Sequence, residues 1–458
     1  MIRQGSNQDG PPQVRVLLTD TNRWGLAARL AIELVETGCE VAAVCPSPSH
    51  ALTKTSAVRR TFHYSAVRPI ESLKAAVDAF DPDVVIPSCD RSVEHLHELY
   101  ARALASNGAM NKTVELIERS LGSPDSHSVV SSRFRLMEIA REEGVLVPRS
   151  ARIAGQQDLD AWSAQESFPW VSKADGTWGG SGVRIVRSPE EAQTSLNQLE
   201  QMARFRRAVK RFVVNRDAFL FRPWWNRTRR SIVAQSYIEG RPANCTVLAW
   251  KGRVLAMIGV EVVRSQGLTG PASIVRIVES DQMRFAAEKL AARLHLSGFF
   301  GLDFMIEGTN GAAYLIEMNP RLAPPCHLRL DKGRDLVGAL WAQLANQPLP
   351  IYPLLTQTGL VAYFPQGAHK QDEIPAACYL DKPQGEPELT KELLNPFPDR
   401  TFLFRLVQRI SHIRDREEEF TITGTGVVPV PPAPEMQTES AAASGIDRPA
   451  ERAHIPLA

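Results

Sequence analysis

Short apolar runs alternate with stretches of helical spacing in the N-terminal part of the chain. The apolar runs are Val14–Thr19, Glu40–Cys45 and Val84–Pro87. Residues 27–36 and 71–80, which lie between them, have the spacing of amphipathic helices. Strands and helices that alternate in this way predict a parallel sheet. We therefore expect a Rossmann-like α/β domain over residues 14–125.

The loop after the first predicted strand does not have the pattern of a dinucleotide-binding loop. Residues 19–25 are Thr-Asp-Thr-Asn-Arg-Trp-Gly, whereas that loop needs Gly-x-Gly-x-x-Gly. Asp90 and Arg91 follow the third predicted strand, at the edge of a parallel sheet where ligands bind. A solvated loop would explain this pair equally well, and both interpretations are kept.

From about residue 126 onward, predicted strands are joined by tight turns and separated by amphipathic helices. The turn Lys251-Gly252 joins two of these strands, and Asp281 is the expected N-cap of a helix that extends to His295. The predicted strands are Phe168–Lys173, Val183–Val186, Ser231–Ile238, Asn244–Ala249, Arg253–Glu261, Ser273–Glu279 and Gly359–Pro365, with a further one at Thr401–Val407. The other predicted helices are Ser131–Glu143, Pro189–Met202 and Asp335–Leu344.

Polar oxygens occur inside one of the apolar strand pairs. Glu317 and Asn319 are two residues apart, so they share a face of their strand. If the turn before this strand is centred near Asn310, Asp303 lies directly across from Glu317, roughly 5 Å away. Carboxylate and amide oxygens suit Mg²⁺ rather than Zn²⁺. We therefore expect a magnesium site at these three residues, with Mn²⁺ left open; a surface hairpin with scattered acids is the alternative.

A lysine stands at the end of a predicted strand, directly before a glycine-rich turn. Lys173 is followed by Ala-Asp-Gly-Thr-Trp-Gly-Gly-Ser-Gly, which ends at Gly182. An ammonium group beside backbone N–H groups that no side chain covers suits phosphate binding. The segment is not a P-loop, because it lacks Gly-Lys-Ser/Thr.

These motifs resemble the ATP-grasp superfamily, whose members carry an acid on one strand and Ile-Glu-x-Asn-x-Arg on the next. Here the matching residues are Asp303, Glu317, Asn319 and Arg321. The resemblance implies a Rossmann-like N-terminal domain, then an ATP-grasp fold of two α+β subdomains that clasp ATP, then a small C-terminal lobe. The boundaries expected for the last two are 126–348 and 349–420.

The resemblance also implies contacts to ATP. In the family a helix lysine touches a phosphate, and Arg133 stands in its place here. Lys173 would contact the α- and β-phosphates, while Arg321 and Arg276 would face the γ-phosphate and the acyl phosphate. Many members bind the ribose through a glutamate where this chain has Pro242, so no ribose contact is assigned. The glycine-rich turn after Lys173 resembles the family's flap, and Ser231–Ile238 resembles the hinge strand that contacts adenine. The remaining expected nucleotide contacts are Gly176, Gly179, Gly180 and Gly182 of the flap and Gln235, Ser236 and Ile238 of the hinge.

The family's usual reaction implies the activity. A carboxylate attacks the γ-phosphate of ATP to give an acyl phosphate, and an amine or thiol then displaces phosphate, so ADP is released and Mg²⁺ is required. The expected partners are therefore small-molecule carboxylates and amines. Kinase-like phosphoryl transfer and a nucleotide-binding regulator without turnover remain alternatives. Pro324-Pro325 stands where biotin carboxylases have a catalytic glutamate, which counts against biotin-dependent carboxylation.

An unusual basic and aromatic segment, residues 204–230, interrupts the expected ATP-grasp domain as an insertion. It holds ten Lys and Arg residues and a Trp pair, Trp224-Trp225. Three interpretations compete: a lid for an anionic substrate, a membrane-surface segment and a solvated basic face. The polar residues 1–13 and the tail 421–458, which has few aromatics, are expected to be disordered.

Composition adds little to this picture. The chain has 458 residues, 43% of them hydrophobic, and a net charge of +2 that says little about partners; no nucleic-acid partner is expected. It contains six cysteines but no C-x-x-C pair, no signal-peptide core and no apolar run long enough to span a bilayer. We expect a cytoplasmic protein, with a homodimer left open.

Overall fold

The structure is a computed structural model. It describes residues 13–21, 25–46, 50–107, 111–174, 183–201, 232–265, 271–331, 333–351, 359–367, 374–375 and 378–394. The chain divides into two units, Met1–Val407 and Gln408–Ala458, and every described residue belongs to the first. The described strands form one parallel sheet, one small antiparallel sheet and one large mixed sheet.

The N-terminal sheet is parallel, as the alternation of strands and helices predicts. Its strands are β1 (Arg15–Thr19), β2 (Glu40–Cys45), β3 (Arg60–His63) and β4 (Val84–Pro87), and its helices are α1 (Leu26–Glu36), α2 (Pro69–Phe80), α3 (Asp90–Asn107) and α4 (Lys112–Leu121). The strand order is β3-β2-β1-β4. The order reverses between β1 and β4, and the first residue of α3, Asp90, follows β4 at this point, where α/β sheets bind ligands.

The pattern of apolar positions did not predict β3, because this strand has little apolar surface. Arg60, Thr61 and His63 are exposed, and β3 forms the edge of the sheet. Polar and charged residues are typical of edge strands, where they discourage pairing with another chain.

The small sheet is antiparallel and belongs to the first of the two subdomains that are expected to bind ATP between them. Its strands are β5 (Ser150–Ile153), β6 (Trp170–Ala174), β7 (Val183–Val186) and β8 (Ile232–Ser236), in the order β5-β8-β6-β7. Helices α7 (Gln156–Ser163) and α8 (Pro189–Gln201) cover one face of it. Trp162 and Trp170 pack edge to face in this core, with ring centroids 6.3 Å apart.

The large sheet contains the hairpin with the predicted magnesium ligands Asp303, Glu317 and Asn319. Its strands are β9 (Gly240–Trp250), β10 (Arg253–Ser265), β11 (Ala272–Val278), β12 (Gly298–Glu307), β13 (Ala313–Asn319), β14 (Leu360–Tyr363) and β15 (Tyr379–Asp381). The strand order is β13-β12-β9-β10-β11-β14-β15, antiparallel up to the parallel pair β14–β15. Helices α6 (Arg133–Glu142) and α9 (Asp281–Arg293) pack on one face, while α1 and α10 (Leu336–Ala345) pack on the other. The N-terminal domain and this sheet therefore share a core.

Several short elements complete the described part. They are α5 (His127–Val130), α11 (Pro387–Leu394) and the 3₁₀ turns Ala51–Thr53 and Pro124–Ser126. Strands β14 and β15 continue the large sheet, so the described part of the expected C-terminal lobe packs as an extension of that sheet. No helix in the described ranges is long and apolar enough to cross a bilayer.

One local expectation was wrong. The N-cap of α9 is Ser280 rather than Asp281, because the Ser280 side chain accepts a hydrogen bond from the backbone N–H of Met283. Asp281 is the first helical residue, where a negative charge is favourable next to the positive end of the helix dipole. Both residues are good N-caps, and the sequence pattern did not distinguish them.

Candidate active site

Two carboxylates face each other across the β12–β13 hairpin. Asp303 is paired directly with Glu317 in the antiparallel register. Asn319 is two residues further on the same face of β13, and its Nδ2 donates a hydrogen bond to Asp303 Oδ2 at 2.9 Å. The structure therefore brings the three predicted metal ligands together on one face of the sheet.

A β-bulge at Ile316 makes this arrangement possible. Tyr314 pairs with Met305 and Leu315 with Phe304, but Glu317 then pairs with Asp303, so Ile316 is an extra residue on β13. Strict alternation from Tyr314 would place Glu317 on the same face as Leu315, in the hydrophobic core. The bulge turns the polar end of the strand to the other face.

The electrostatics of the hairpin fit a cation. Burial, and after it the nearby Glu317 charge, raise the pKa of Asp303 to about 6 against the opposing effects of Arg321, Asn319 and Lys173. A divalent cation between two close carboxylates would stabilise the charged form of both. Asp303, Glu317 and Asn319 carry oxygen atoms of the kind that Mg²⁺ prefers, so the prediction of a magnesium site here stays a prediction.

Lys173 crosses from the small sheet to the large one. Its Nζ donates to the backbone oxygen of Ile316 at 3.2 Å, so the bulged residue supplies its acceptor. The residue is only 5% exposed. Burial lowers the pKa of the ammonium to about 8; Glu317 opposes this shift, and Arg133 adds to it. A buried cation beside the carboxylate cluster is suited to phosphate oxygens.

Arg133 contacts the cluster directly. It begins α6, after the N-cap Ser132, and its Nη2 lies 2.7 Å from Glu317 Oε1 in an ion pair. The sequence placed this arginine at a phosphate, whereas here it holds a predicted metal ligand. A metal ion and Arg133 would therefore compete for the same Glu317 oxygen.

Arg321 connects the cluster to the N-terminal domain. Its Nη2 donates to Asn319 Oδ1 and its Nη1 to the Leu322 backbone oxygen, each at 3.1 Å. Its Nε donates to Asp90 Oδ1, also at 3.1 Å. Asp90 is thus part of the site. Its place after β4 was the signal for it, but the sequence did not identify its partner.

The segment after Arg321 is fixed across the same face of the large sheet. Thr246 donates from Oγ1 to the backbone oxygens of Ala323 and Pro324, at 3.1 and 2.9 Å. A Cβ at Gly301 would lie 2.7 Å from the Ala323 Cβ, so only glycine admits this approach. These contacts hold the chain next to Arg321 in one place.

The hinge residues lie near the same cleft. In the β6–β8 ladder Lys173 pairs with Val233, and Gln235 lies two residues along on the same face as Lys173. Gln235 is buried and its Nε2 donates to Ser150 Oγ at 3.3 Å. Ser236 ends β8, and Ile238 follows in the connection to β9. Their predicted contacts with the adenine stay predictions.

The structure does not bring Arg276 to this cluster. Arg276 pairs with Glu261, which pairs with Ala243, which pairs with Phe304. That row points to the opposite face from the row of Asp303. Arg276 Nη1 lies 3.9 Å from Glu261 Oε2, so this arginine joins an ion pair away from the predicted ligands.

Asn244 is a residue that the sequence reasoning missed. It pairs with Asp303 across β9 and β12 and therefore shares the face of the carboxylates. Its Oδ1 is buried and has no hydrogen-bond partner among the described residues. A lone asparagine in a strand gives no signal in a sequence, and only the register shows its position beside Asp303.

Four further predictions fall outside the described residues. The flap glycines Gly176, Gly179, Gly180 and Gly182 lie there, and so does the basic segment 204–230. The predicted strand Thr401–Val407 and the tail 421–458 lie outside them as well.

Comparisons with known proteins agree with this geometry. Residues 130–325 match the sequence model of a family described as an ATP-grasp domain. A search of curated proteins finds no match. The family match covers the hairpin, Lys173 and Arg321, and leaves Asp90 outside it.

Solved structures share the fold at low sequence identity. An N5-carboxyaminoimidazole synthetase from Staphylococcus aureus in complex with ADP is 14% identical, with a TM-score of 0.51 over 75% of this chain and 80% of that one. A biotin carboxylase from Campylobacter jejuni is 16% identical, with a TM-score of 0.53 over 74% and 72%. An L-amino acid ligase from Bacillus licheniformis is 15% identical, with a TM-score of 0.50 over 72% and 75%. The expected fold is therefore confirmed.

Proposed function

We propose that the protein is an ATP- and Mg²⁺-dependent ligase that releases ADP, because residues 130–325 match the model of an ATP-grasp domain. In the proposed reaction a carboxylate is activated as an acyl phosphate and then joined to an amine or a thiol. The observation that carries the proposal is the pairing of Asp303 with Glu317 beside Asn319, with Lys173 reaching the same hairpin from the opposing sheet.

The chain's own residues would act mainly by holding charge. Lys173 would bind the phosphate oxygens of ATP, and Arg321 would bind those of the transferred phosphoryl group. Asp303, Glu317 and Asn319 would hold Mg²⁺, which neutralises phosphate charge when it is bound. The structure supports these roles through position and burial. Arg276 has no part in the proposal, because it faces the other side of the sheet.

The covalent steps belong to the substrates. A carboxylate oxygen attacks the γ-phosphorus, the bond to the β,γ-bridging oxygen breaks, and ADP leaves with the electron pair. The amine nitrogen then attacks the acyl carbon, inorganic phosphate leaves, and the nitrogen loses a proton. No protein nucleophile is needed for either step, so the protein's contribution is orientation and electrostatic stabilisation.

The substrates are proposed only as classes. The similar structures are named as a carboxyaminoimidazole synthetase, a biotin carboxylase and an amino acid ligase, and this range of names supports a ligase without selecting a substrate. Pro324-Pro325 argues against biotin-dependent carboxylation, as the sequence indicated. Small carboxylates and amines remain the proposed partners, with the basic segment 204–230 as a proposed lid for an acidic substrate.

The experiment is a screen for ADP release with Mg-ATP and pools of carboxylates and amines. The proposal predicts ADP release that needs both a carboxylate and an amine or thiol. Release with a carboxylate alone, at the same rate, would instead favour kinase-like transfer. Tight binding of Mg-ATP with no release in any pool would favour a nucleotide-binding regulator and would contradict the proposal.

A further inference from the structure

The guanidinium group of Arg321 is held by contacts from two domains. Asn319 and the Leu322 backbone accept from its two Nη atoms, and both belong to its own segment. The third contact joins its Nε to Asp90 Oδ1, and Asp90 lies on α3 of the N-terminal domain. Asp90 is thus a charged partner of Arg321 from outside the ATP-grasp domain.

We propose that Asp90 is a positioning residue, which orients Arg321 for the reacting phosphate or carboxylate. This inference rests on the proposed function of the site. Asp90 does not touch a substrate in it and acts only through Arg321. A guanidinium group on a long flexible side chain has many rotamers, and an anchor at Nε removes most of them before the substrate arrives.

The backbone holds Asp90 in register with Arg321. The N–H of Leu322 donates to the backbone oxygen of Pro87 at 3.2 Å. Pro87 ends β4, three residues before Asp90, and Leu322 follows Arg321 directly. A main-chain contact and a side-chain contact therefore connect the same two segments. These two contacts fix the junction of β4 and α3 beside Arg321.

The contact also reaches the metal ligands. Arg321 donates to Asn319 Oδ1 at 3.1 Å, and Asn319 Nδ2 donates to Asp303 Oδ2 at 2.9 Å. The hydrogen bonds thus form a continuous chain from Asp90 to Asp303. If Arg321 turned away, the Asn319 amide would lose the partner that fixes which of its atoms faces Asp303.

A purely structural role for Asp90 is the competing explanation. An acid at the first position of a helix stabilises it through the helix dipole. The ion pair itself is partly exposed, with side-chain exposures of 12% for Arg321 and 35% for Asp90, so its direct contribution to folding is small. Replacing Asp90 by Asn keeps a side-chain oxygen at the helix start and weakens the hold on Arg321.

A double-mutant cycle separates the two roles. Asp90→Asn should lower kcat/KM for ADP release by about tenfold to a hundredfold, with an unchanged melting temperature. In an Arg321→Gln background the same change should have no further effect, because its target is gone. Glu98→Gln is the matched control: it removes an acid of α3 that pairs with Arg102 on the surface, and it should behave as wild type.

The four proteins of the cycle, which are wild type, Asp90→Asn, Arg321→Gln and the double variant, should be titrated with Mg²⁺ and the ATP analogue adenylyl imidodiphosphate by calorimetry. We expect weaker binding in Asp90→Asn, again with no additional loss when Arg321 is already Gln. If wild type binds the analogue but releases no ADP with any substrate pair, the proposed function fails while the cycle in affinity still tests Asp90. Independent, additive effects of the two changes, or wild-type behaviour of Asp90→Asn, would overturn the inference.

Discussion

Asp303 lies directly opposite Glu317, although the hairpin that joins them is out of step by one residue. The pairing near the turn, Met305 with Tyr314, belongs to one register, and the pairing at the site belongs to the next. The extra residue is Ile316, whose backbone oxygen accepts a hydrogen bond from Lys173. One irregularity therefore aligns the carboxylates and supplies the acceptor for Lys173, the proposed phosphate-binding residue.

The charge of Lys173 should make nucleotide affinity depend on pH. Burial lowers the pKa of this group to about 8, and bound phosphates would favour its charged form. Affinity for Mg-ATP should therefore be flat below about pH 8 and fall as pH rises above it, up to about tenfold per unit. Calorimetry at a series of pH values tests this. Lys173→Arg should keep its charge and remove the dependence; an identical profile in that variant would contradict the assignment.

Arg133 should compete with the metal for Glu317. The arginine Nη2 lies 2.7 Å from the carboxylate, so removing its charge frees a ligand oxygen. Arg133→Gln should therefore raise the affinity of the nucleotide-free protein for Mn²⁺ by several-fold, as measured by electron paramagnetic resonance of free Mn²⁺. Arg135→Gln, on the same helix, serves as the control and should leave the Mn²⁺ affinity unchanged. A lower affinity in Arg133→Gln would show that the arginine supports the metal site instead.

Asn244 should lower the stability of the nucleotide-free protein and strengthen Mg-nucleotide binding. Its buried Oδ1 has no partner in the described part of the chain, which costs about 1–3 kcal/mol in the absence of a ligand. Asn244→Leu, of similar size, should raise the melting temperature of the nucleotide-free protein. It should also weaken Mg-nucleotide binding, since an oxygen beside Asp303 is lost. Lower stability together with unchanged binding would mean that the amide serves only the fold.

A buried charge cluster of Asp381, His327 and Arg29 should stabilise the contact of β15 with the N-terminal domain. Asp381 accepts a hydrogen bond from His327 Nε2 at 2.8 Å and is paired with Arg29 of α1. Burial alone would raise the pKa of Asp381, but His327 and Arg29 outweigh it and hold the pKa below its usual value. The resulting stability is present above about pH 4 and is lost as pH falls through the lowered pKa.

Asp381→Asn should destabilise the protein by about 3–5 kcal/mol, because the largely buried Arg29 loses the carboxylate with which it is paired. Chemical denaturation measures this loss. Asp331→Asn, which breaks an exposed pair with Arg334, is the control and should change stability by less than about 1 kcal/mol. Similar losses in the two variants would show that the buried cluster has no special weight.

The pattern of apolar positions predicted strands well where the strand is apolar and turn residues mark its ends. Strands β2, β4 and β7 have the predicted bounds, and the pairing of Asp303 with Glu317 followed from the position of the turn. The bulge at Ile316 did not follow; the backbone oxygen of this residue accepts a hydrogen bond from Lys173, which is 143 residues away in sequence. Such a contact leaves no trace in the alternation of apolar positions along one strand.

Long-range pairing explains the other differences. Nothing in the residues of β14 indicates that this strand pairs with β11, whose partner residues are 84 (Arg276 with Leu360) to 88 (Ile274 with Ala362) positions away in sequence. Arg276 has the charge that the resemblance requires, but the register turns it to the face of Phe304. Asp90 could be noticed by its place after β4, whereas its contact with Arg321 requires the packing of two domains.

The carboxylate pair itself gives the most direct test. Glu317→Gln removes one anionic ligand while it keeps size and hydrogen bonding, so Mg-dependent ADP release should fall by at least about a hundredfold in a folded protein. Glu307→Gln, at the end of β12 in the same hairpin, is the matched control and should keep wild-type release. ADP release by Glu317→Gln within a few-fold of wild type, at the same Mg²⁺ dependence, would contradict the assignment of this hairpin as the catalytic metal site.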